Sequence, residues 1–129
     1  MSEILVPVSV GELIDKITIL RIKQRHIKDA AKLRNIGAEL SALEAVCVKA
    51  KLDTKDALAG ELEAINQKLW VIEDDIRDKE RTRTFDQRFI ELARAVYVTN
   101  DERFQVKSKI NAAAGSLYKE EKSYRDYTK

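Results

Sequence analysis

The sequence predicts an all-α fold, an elongated four-helix bundle of long antiparallel helices. Three observations predict it. One Pro and four Gly stand in 129 residues, so little in the chain breaks a helix. Apolar residues recur at alternating steps of three and four through most of the length. The joints between these periodic stretches are short and carry residues suited to helix caps. The length suits a single domain over 1–129, with 120–129 as a polar tail free to fray.

The chain opens on a β-branched, extended piece, Ile4 to Val8, in which Pro7 biases Val6 away from helix. Ser9 is an N-cap, and Glu12 three residues on completes a capping box. Leu13, Ile17, Leu20 and Ile27 follow at near-heptad spacing with Ile14 alongside, while Ile19 and Ile22 lie on a different face. A helix apolar on two sides is central or meets a second partner, and the pattern predicts a homodimer through this first helix.

Asp29 caps the second helix, whose stripe is Leu33, Ile36, Leu40, Leu43, Cys47 and Ala50. Gly37 in its middle costs about 1 kcal/mol against Ala, which predicts close approach of a neighbouring helix. The third helix starts at Asp53 or Thr54 and carries the longest seam, Leu58, Leu62, Ile65, Leu69, Ile72 and Ile76. From Lys55 to about Arg81 it spans about 40 Å.

"RTRTFDQRF" reverses the chain, with Thr84 or Asp86 as cap, and Phe85, Phe89, Leu92, Ala93 and Val96 form the fourth stripe. At "VTNDERF" the signals conflict. Thr99 and Glu102 make a second capping box and Asn100–Asp101 favours a turn, yet Val106, Ile110, Ala113 or Ala114, and Leu117 continue the stripe. A kink or break near Thr99–Asp101 is expected, then helix to about Lys119. Tyr118, Tyr124 and Tyr127 offer the tail a way to dock on the bundle.

Composition narrows the function. Charged residues make up 36% of the chain, but 24 bases against 22 acids leave only +2, which speaks against nucleic acid. The basic stretch Arg21–Arg34 sets six bases against Asp29, and it suits phosphates or an anionic membrane surface. No aromatic residue is interleaved there for base stacking. Cys47 and His26 are each alone, so neither a disulfide within the chain nor a Cys/His zinc set is available, and neither metal nor cofactor is expected. No apolar run reaches the length of a membrane span, and "ILVPV" is too short for a signal peptide, so a soluble cytoplasmic protein is expected.

Candidate site residues come from two rows beside the seams. In "LWVIEDDIRDKE" the seam points Leu69, Ile72 and Ile76 inward, which leaves Glu73, Arg77 and Glu80 as a flanking row. Asn66 extends that flank. Arg94, Tyr97 and Asp101 line the fourth stripe, with Asn100 beside them, and Arg103, Lys107 and Asn111 continue at steps of four. If the third and fourth helices are antiparallel neighbours, the rows meet. They then form either a buried ionic network, which fixes register, or a polar pocket for an anion such as a phosphate or sugar phosphate. "ELID" also spaces Glu12 and Asp15 as the magnesium-binding pairs of helical nucleotide pyrophosphatases do, but no second acidic pair faces it.

"PVSVGELIDKITILRIK", "LWVIEDDIRDKE", "FIELARAVYVTNDER" and "EEKSY" together resemble an uncharacterised family of short bacterial helical proteins with a GELIDKITIL opening. The resemblance implies no activity and no catalytic residue; it implies a context of surface-polysaccharide biosynthesis. "ELIDKITILRIKQR" alone resembles the first helix of helical chorismate mutases, but "IGAELSALEAVCV" lacks the charged residues that family uses for its dicarboxylate. The expected function is a helical-bundle accessory or interaction protein without catalytic activity. The alternative is a helical enzyme or binding protein for an anionic, phosphate- or nucleotide-linked small molecule.

Overall fold

A computed structural model of the chain describes residues 2–128. Four helices make it: α1 (Val10–His26), α2 (Ala30–Lys49), α3 (Ala57–Arg81) and α4 (Gln87–Ala114). No strand occurs among the described residues, and none of the helices is long and apolar enough to cross a membrane.

The caps explain where the helices start. Ser9 Oγ accepts from the Glu12 N–H at 3.1 Å, but the Glu12 carboxylate does not return to Ser9; it reaches Lys107 instead. Asp29 caps α2 through the Lys32 N–H at 2.9 Å. The cap of α3 is Asp56, not Asp53 or Thr54: Asp56 accepts from the Ala59 N–H at 2.8 Å, while Asp53 is used up in the preceding turn by the Lys55 N–H. Asp86 caps α4 at 3.0 Å from Phe89 N, and its hydrogen bonds from Lys79 and Phe89 hold its carboxyl below the usual carboxylate range.

No break interrupts α4 at Thr99–Asp101. Leu92, Thr99 and Val106, seven residues apart, are all buried, so Thr99 is a seam residue and packing overrides the local turn signal. The helix ends at Ala114, short of Lys119, because Gly115 takes a left-handed conformation (φ 63°) and the Ser116 N–H returns to the Asn111 carbonyl at 2.9 Å. Leu117 is accordingly exposed.

Helix α1 touches each of the other three, and α2 packs against α1 alone. The two-sided apolar pattern of α1 is therefore met inside one chain: Ile17 and Leu20 join the core with Leu40, Cys47, Leu62 and Val106, and Ile22 is buried on the other side. On that second face Ile22 is buried within the chain, while Ile19 is part-buried. Both α1 and α3 run antiparallel to α4. Along α1, Val10, Glu12 and Asp15 meet Ser116, Lys107 and Arg103 in turn. Along α3, Lys79 meets Asp86 at 2.9 Å and Lys68 meets Glu102 at 3.8 Å.

Closest approach falls at Gly11, not Gly37. A Cβ on Gly11 would lie 2.6 Å from the Lys107 carbonyl oxygen, whereas one on Gly37 would meet only Gln24 Nε2 at 4.0 Å. The Gly11 N–H also donates to Asn111 Oδ1 at 2.6 Å. Gly11→Ala is expected to cost about 1–3 kcal/mol by forcing the two backbones apart. Gly37→Ala is expected to stabilise by up to about 1 kcal/mol. Urea melts of both variants check this, and equal midpoints would contradict the close packing of α1 on α4.

Candidate functional site

A polar layer crosses the middle of the α1–α3–α4 trio. At its centre is Asp15, 1% exposed. It follows Gly11 by four residues and precedes Thr18 by three, on the face that α4 covers. Arg103 of α4 grips it as a fork: Nε donates to Oδ1 at 3.0 Å and Nη2 donates to Oδ2. Asn66 of α3 donates to Asp15 Oδ1 at 2.8 Å and to Thr18 Oγ1 at 2.9 Å. One turn along α4, the buried Lys107 ammonium lies 2.7 Å from Glu12, 2.9 Å from Glu120 and 3.9 Å from Asp15. Steps of four along α4 place Thr99, Arg103, Lys107 and Asn111 on this one face, which answers Gly11, Asp15 and Thr18 of α1.

The electrostatics follow from these contacts. Hydrogen bonding to Asp15, against the opposing pull of burial, raises the Arg103 guanidinium above its ordinary value. Burial by itself lowers the Lys107 ammonium, but Glu12, Glu120 and Asp15 outweigh it and the net shift is upward. Both cations stay charged at neutral pH. Thr99 Oγ1, fully buried, has no hydrogen-bond partner among the described residues.

Two cavities open on either side of this layer, and Asn100 and Arg103 line both. One is a cleft of about 410 Å³ with an apolar wall of Ile19, Ile22, Leu69 and Trp70, and a polar rim that includes Asn66 and Arg77. Trp70 stacks on His26 with ring centroids 4.9 Å apart. The other is a chamber of about 600 Å³ between α4 and the segment after it, walled by Tyr97, Phe104, Lys107, Lys122, Tyr124 and Tyr127 among others. That segment carries no helix, yet it is fastened to α4 rather than frayed. Lys122 pairs with Asp101 at 2.5 Å, and Tyr127 meets Tyr97 at 4.8 Å between centroids. Hydrogen bonds from Lys122 and Tyr127 hold the Asp101 carboxyl below its usual range. Tyr124 stands at the chamber's outer edge and is 84% exposed.

The expected site residues are partly brought together. Glu73, Arg77, Asn100 and Arg103 line the cleft, and Tyr97, Asn100, Asp101, Arg103 and Lys107 line the chamber. Glu80 and Arg94 line neither and are exposed. The row joining Arg77 to Arg94 does not form: Arg77 pairs with Glu73 at 3.2 Å with its side chain 75% exposed, and Arg94 makes no ion pair among the described residues. Sequence reasoning missed Thr18, Thr99 and Glu120 as site residues, weighed Asp15 only as half of an acidic pair with Glu12, and put Asn66 on a flank when it lies in the core. A signal existed for Asp15, a carboxylate on an α1 face otherwise set by Gly11, Ile14, Thr18 and Ile22.

Other candidates are accounted for elsewhere. Arg21 donates to Thr54 Oγ1 at 2.9 Å and lies 3.8 Å from Glu63, and Arg25 pairs with Glu63 at 3.1 Å. The basic stretch is thus partly neutralised by α3. Arg21, in the stretch that resembles chorismate mutases, is engaged by Thr54, Glu44 and Glu63, and α2 lines neither cavity. Burial raises the Cys47 thiol, which makes it a poor nucleophile. Among the described residues no group of three His, Cys, Asp or Glu side chains is placed to hold a metal ion.

Residues 4–128 match DUF6165, a family of unknown function, and the chain belongs to it. No curated protein and no solved structure matches the chain.

Proposed function

We propose that this member of DUF6165 binds a small anionic molecule with an apolar or planar part, and that Arg103 anchors it. One observation carries the reading. Asp15 takes the Nε and Nη2 donors of Arg103, which fixes the guanidinium, while Nη1 makes no hydrogen bond among the described residues and the side chain lines both cavities. A guanidinium held in advance loses little freedom on meeting a phosphate or carboxylate. In the cleft, Arg77 supplies a second cation, Asn66 and Asn100 supply amides, and Trp70 with Leu69, Ile19 and Ile22 supplies apolar surface. The polysaccharide context implied by the resemblance makes sugar phosphates and nucleotide sugars the first ligands to try. A single Cys, unable to form a disulfide within the chain, suits a reducing cytoplasm.

The expected result is a rise in melting midpoint with a nucleoside diphosphate or its sugar ester, since binding to the folded state alone adds stability. Arg77→Ala is expected to weaken that binding by about ten-fold or more, the worth of a charged hydrogen bond, and to leave the ligand-free midpoint unchanged because Arg77 is exposed. Trp70→Ala should weaken it as well. If no such ligand shifts the midpoint, or if both variants bind as tightly as the wild type by calorimetry, the reading is wrong.

A second reading, an accessory or interaction protein that associates with a partner or with itself, is favoured by the opening segment. Ile4 and Leu5 are 82% and 83% exposed, and Val6 is exposed too. A run of apolar side chains held in water favours an encounter with another surface. Light scattering of the wild type and of an Ile4→Ser/Leu5→Ser variant tests it. A monomer mass for the wild type at high concentration counts against self-association.

A further inference from the structure

Lys107 is 5% exposed, and the groups that satisfy it are of two kinds. Glu12 and Asp15 belong to α1, whose backbone the bundle holds; Asp15 is buried and the Glu12 side chain is 49% exposed. Glu120 belongs to the segment 116–128, which has no regular structure and is otherwise held by a few contacts at its ends and middle. Ser116 accepts from the Val10 N–H at 3.1 Å, Lys122 pairs with Asp101, and Tyr127 packs on Tyr97. The Glu120 side chain is 43% exposed, so its carboxylate enters the chamber from the solvent side.

Charge sharpens the contrast. With Glu120 in place, three carboxylates (Glu12, Asp15, Glu120) face two cations (Arg103, Lys107). Lifting the segment leaves two against two, with one Lys107 N–H without its acceptor in a chamber that Tyr97, Asn100 and Arg103 also wall. With the segment lifted, water reaches that N–H, and an arriving anion can take the place of the carboxylate that left and form a charge-assisted hydrogen bond with it.

We infer that Lys107 and Arg103 form a second anionic subsite, for a phosphate or carboxylate group, which the chain's own Glu120 occupies as an internal ligand until the 117–128 strap lifts. Because Arg103 borders both cavities, the ligand class is a molecule with two anionic groups, such as a pyrophosphate-bridged one; this rests on the reading that Arg103 anchors an anion. The strap then competes with the ligand for Lys107, and binding and strap release are linked: whatever weakens the strap tightens the ligand, and the ligand loosens the strap.

Two variants of the full chain test it with pyrophosphate as probe. Glu120→Gln removes the competing charge. Tyr127→Ala removes a neutral anchor of the strap and leaves the charge of the subsite untouched. Both are expected to bind pyrophosphate at least several-fold more tightly than the wild type by calorimetry. Trypsin cleavage at Lys119, Lys122 and Arg125 reports the strap without reference to affinity, and it is expected to be faster in both variants and, in the wild type, faster with pyrophosphate. If a nucleoside diphosphate binds the wild type through Arg77 and Trp70 but neither variant changes pyrophosphate affinity, the subsite is refuted and the cleft reading stands. If nothing anionic binds any of the three proteins, both fall together. If Glu120→Gln tightens binding and Tyr127→Ala does not, the effect is one of charge alone and the competing strap is refuted.

Discussion

Asp15→Ala is expected to lower the free energy of unfolding by about 3–5 kcal/mol, the cost of leaving a buried counter-charge without its partner. Arg103 loses the carboxylate it pairs with, Asn66 loses one of its two acceptors, and Lys107 keeps Glu12 and Glu120 but loses the third negative charge. The loss reflects abandonment of Arg103 more than the worth of the pair. A chain carrying both Asp15→Leu and Arg103→Met is therefore expected to recover much of the stability, since apolar groups of similar volume need no partner. Urea melts of the two single variants and the double variant give the coupling directly. A loss below about 1 kcal/mol for Asp15→Ala would mean that the layer is not closed as described. The same cycle bears on function. The double variant keeps the fold but loses the guanidinium, so it should no longer bind an anion in either cavity.

Much of the fold was legible because helix signals in this chain are local. Ser9, Asp29 and Asp86 cap as read, and the seams of α1 and α4 put Ile14, Ile17, Leu92, Val106 and Ile110 inside. Two readings failed for non-local reasons. Asn100–Asp101 favours a turn, but Thr99 is locked in the seam, and that depends on what packs against it. Gly37 suggested a close approach that Gly11 makes instead, because which helix face meets a backbone is a tertiary fact.

The site was half legible. The row Arg103–Lys107–Asn111 stands out at steps of four, and its partners on α1 carry polar residues at matching steps. Joining them requires knowing that α1 as well as α3 lies against α4. The paired rows sought on α3 and α4 were the wrong pair: Arg94 faces water, and Glu73 and Arg77 stay at the rim of the cleft. Glu120 was invisible for a different reason. A glutamate in a polar tail carries no periodicity, and only the three-dimensional path of the strap brings it to Lys107.

Leu62→Ala is expected to cost about 2–5 kcal/mol, and Leu69→Ala clearly less, although both belong to one seam by sequence. Leu62 has no exposed surface and lies in the central cluster with Ile17, Leu20 and Val106, where removing three carbons leaves a void that close-packed neighbours cannot fill. Leu69 is half-buried on the wall of the cleft, so its truncation widens an existing opening and creates no sealed void. The seam turns from core to cleft between them at Asn66, whose amide is committed to Asp15 and Thr18. Urea midpoints at constant slope measure the difference. Leu69→Ala should also weaken a bound planar ligand, because Leu69 shares its wall with Trp70. Equal losses for the two variants would mean that the cleft is packed shut in solution, and the apolar half of the proposed binding site would go with it.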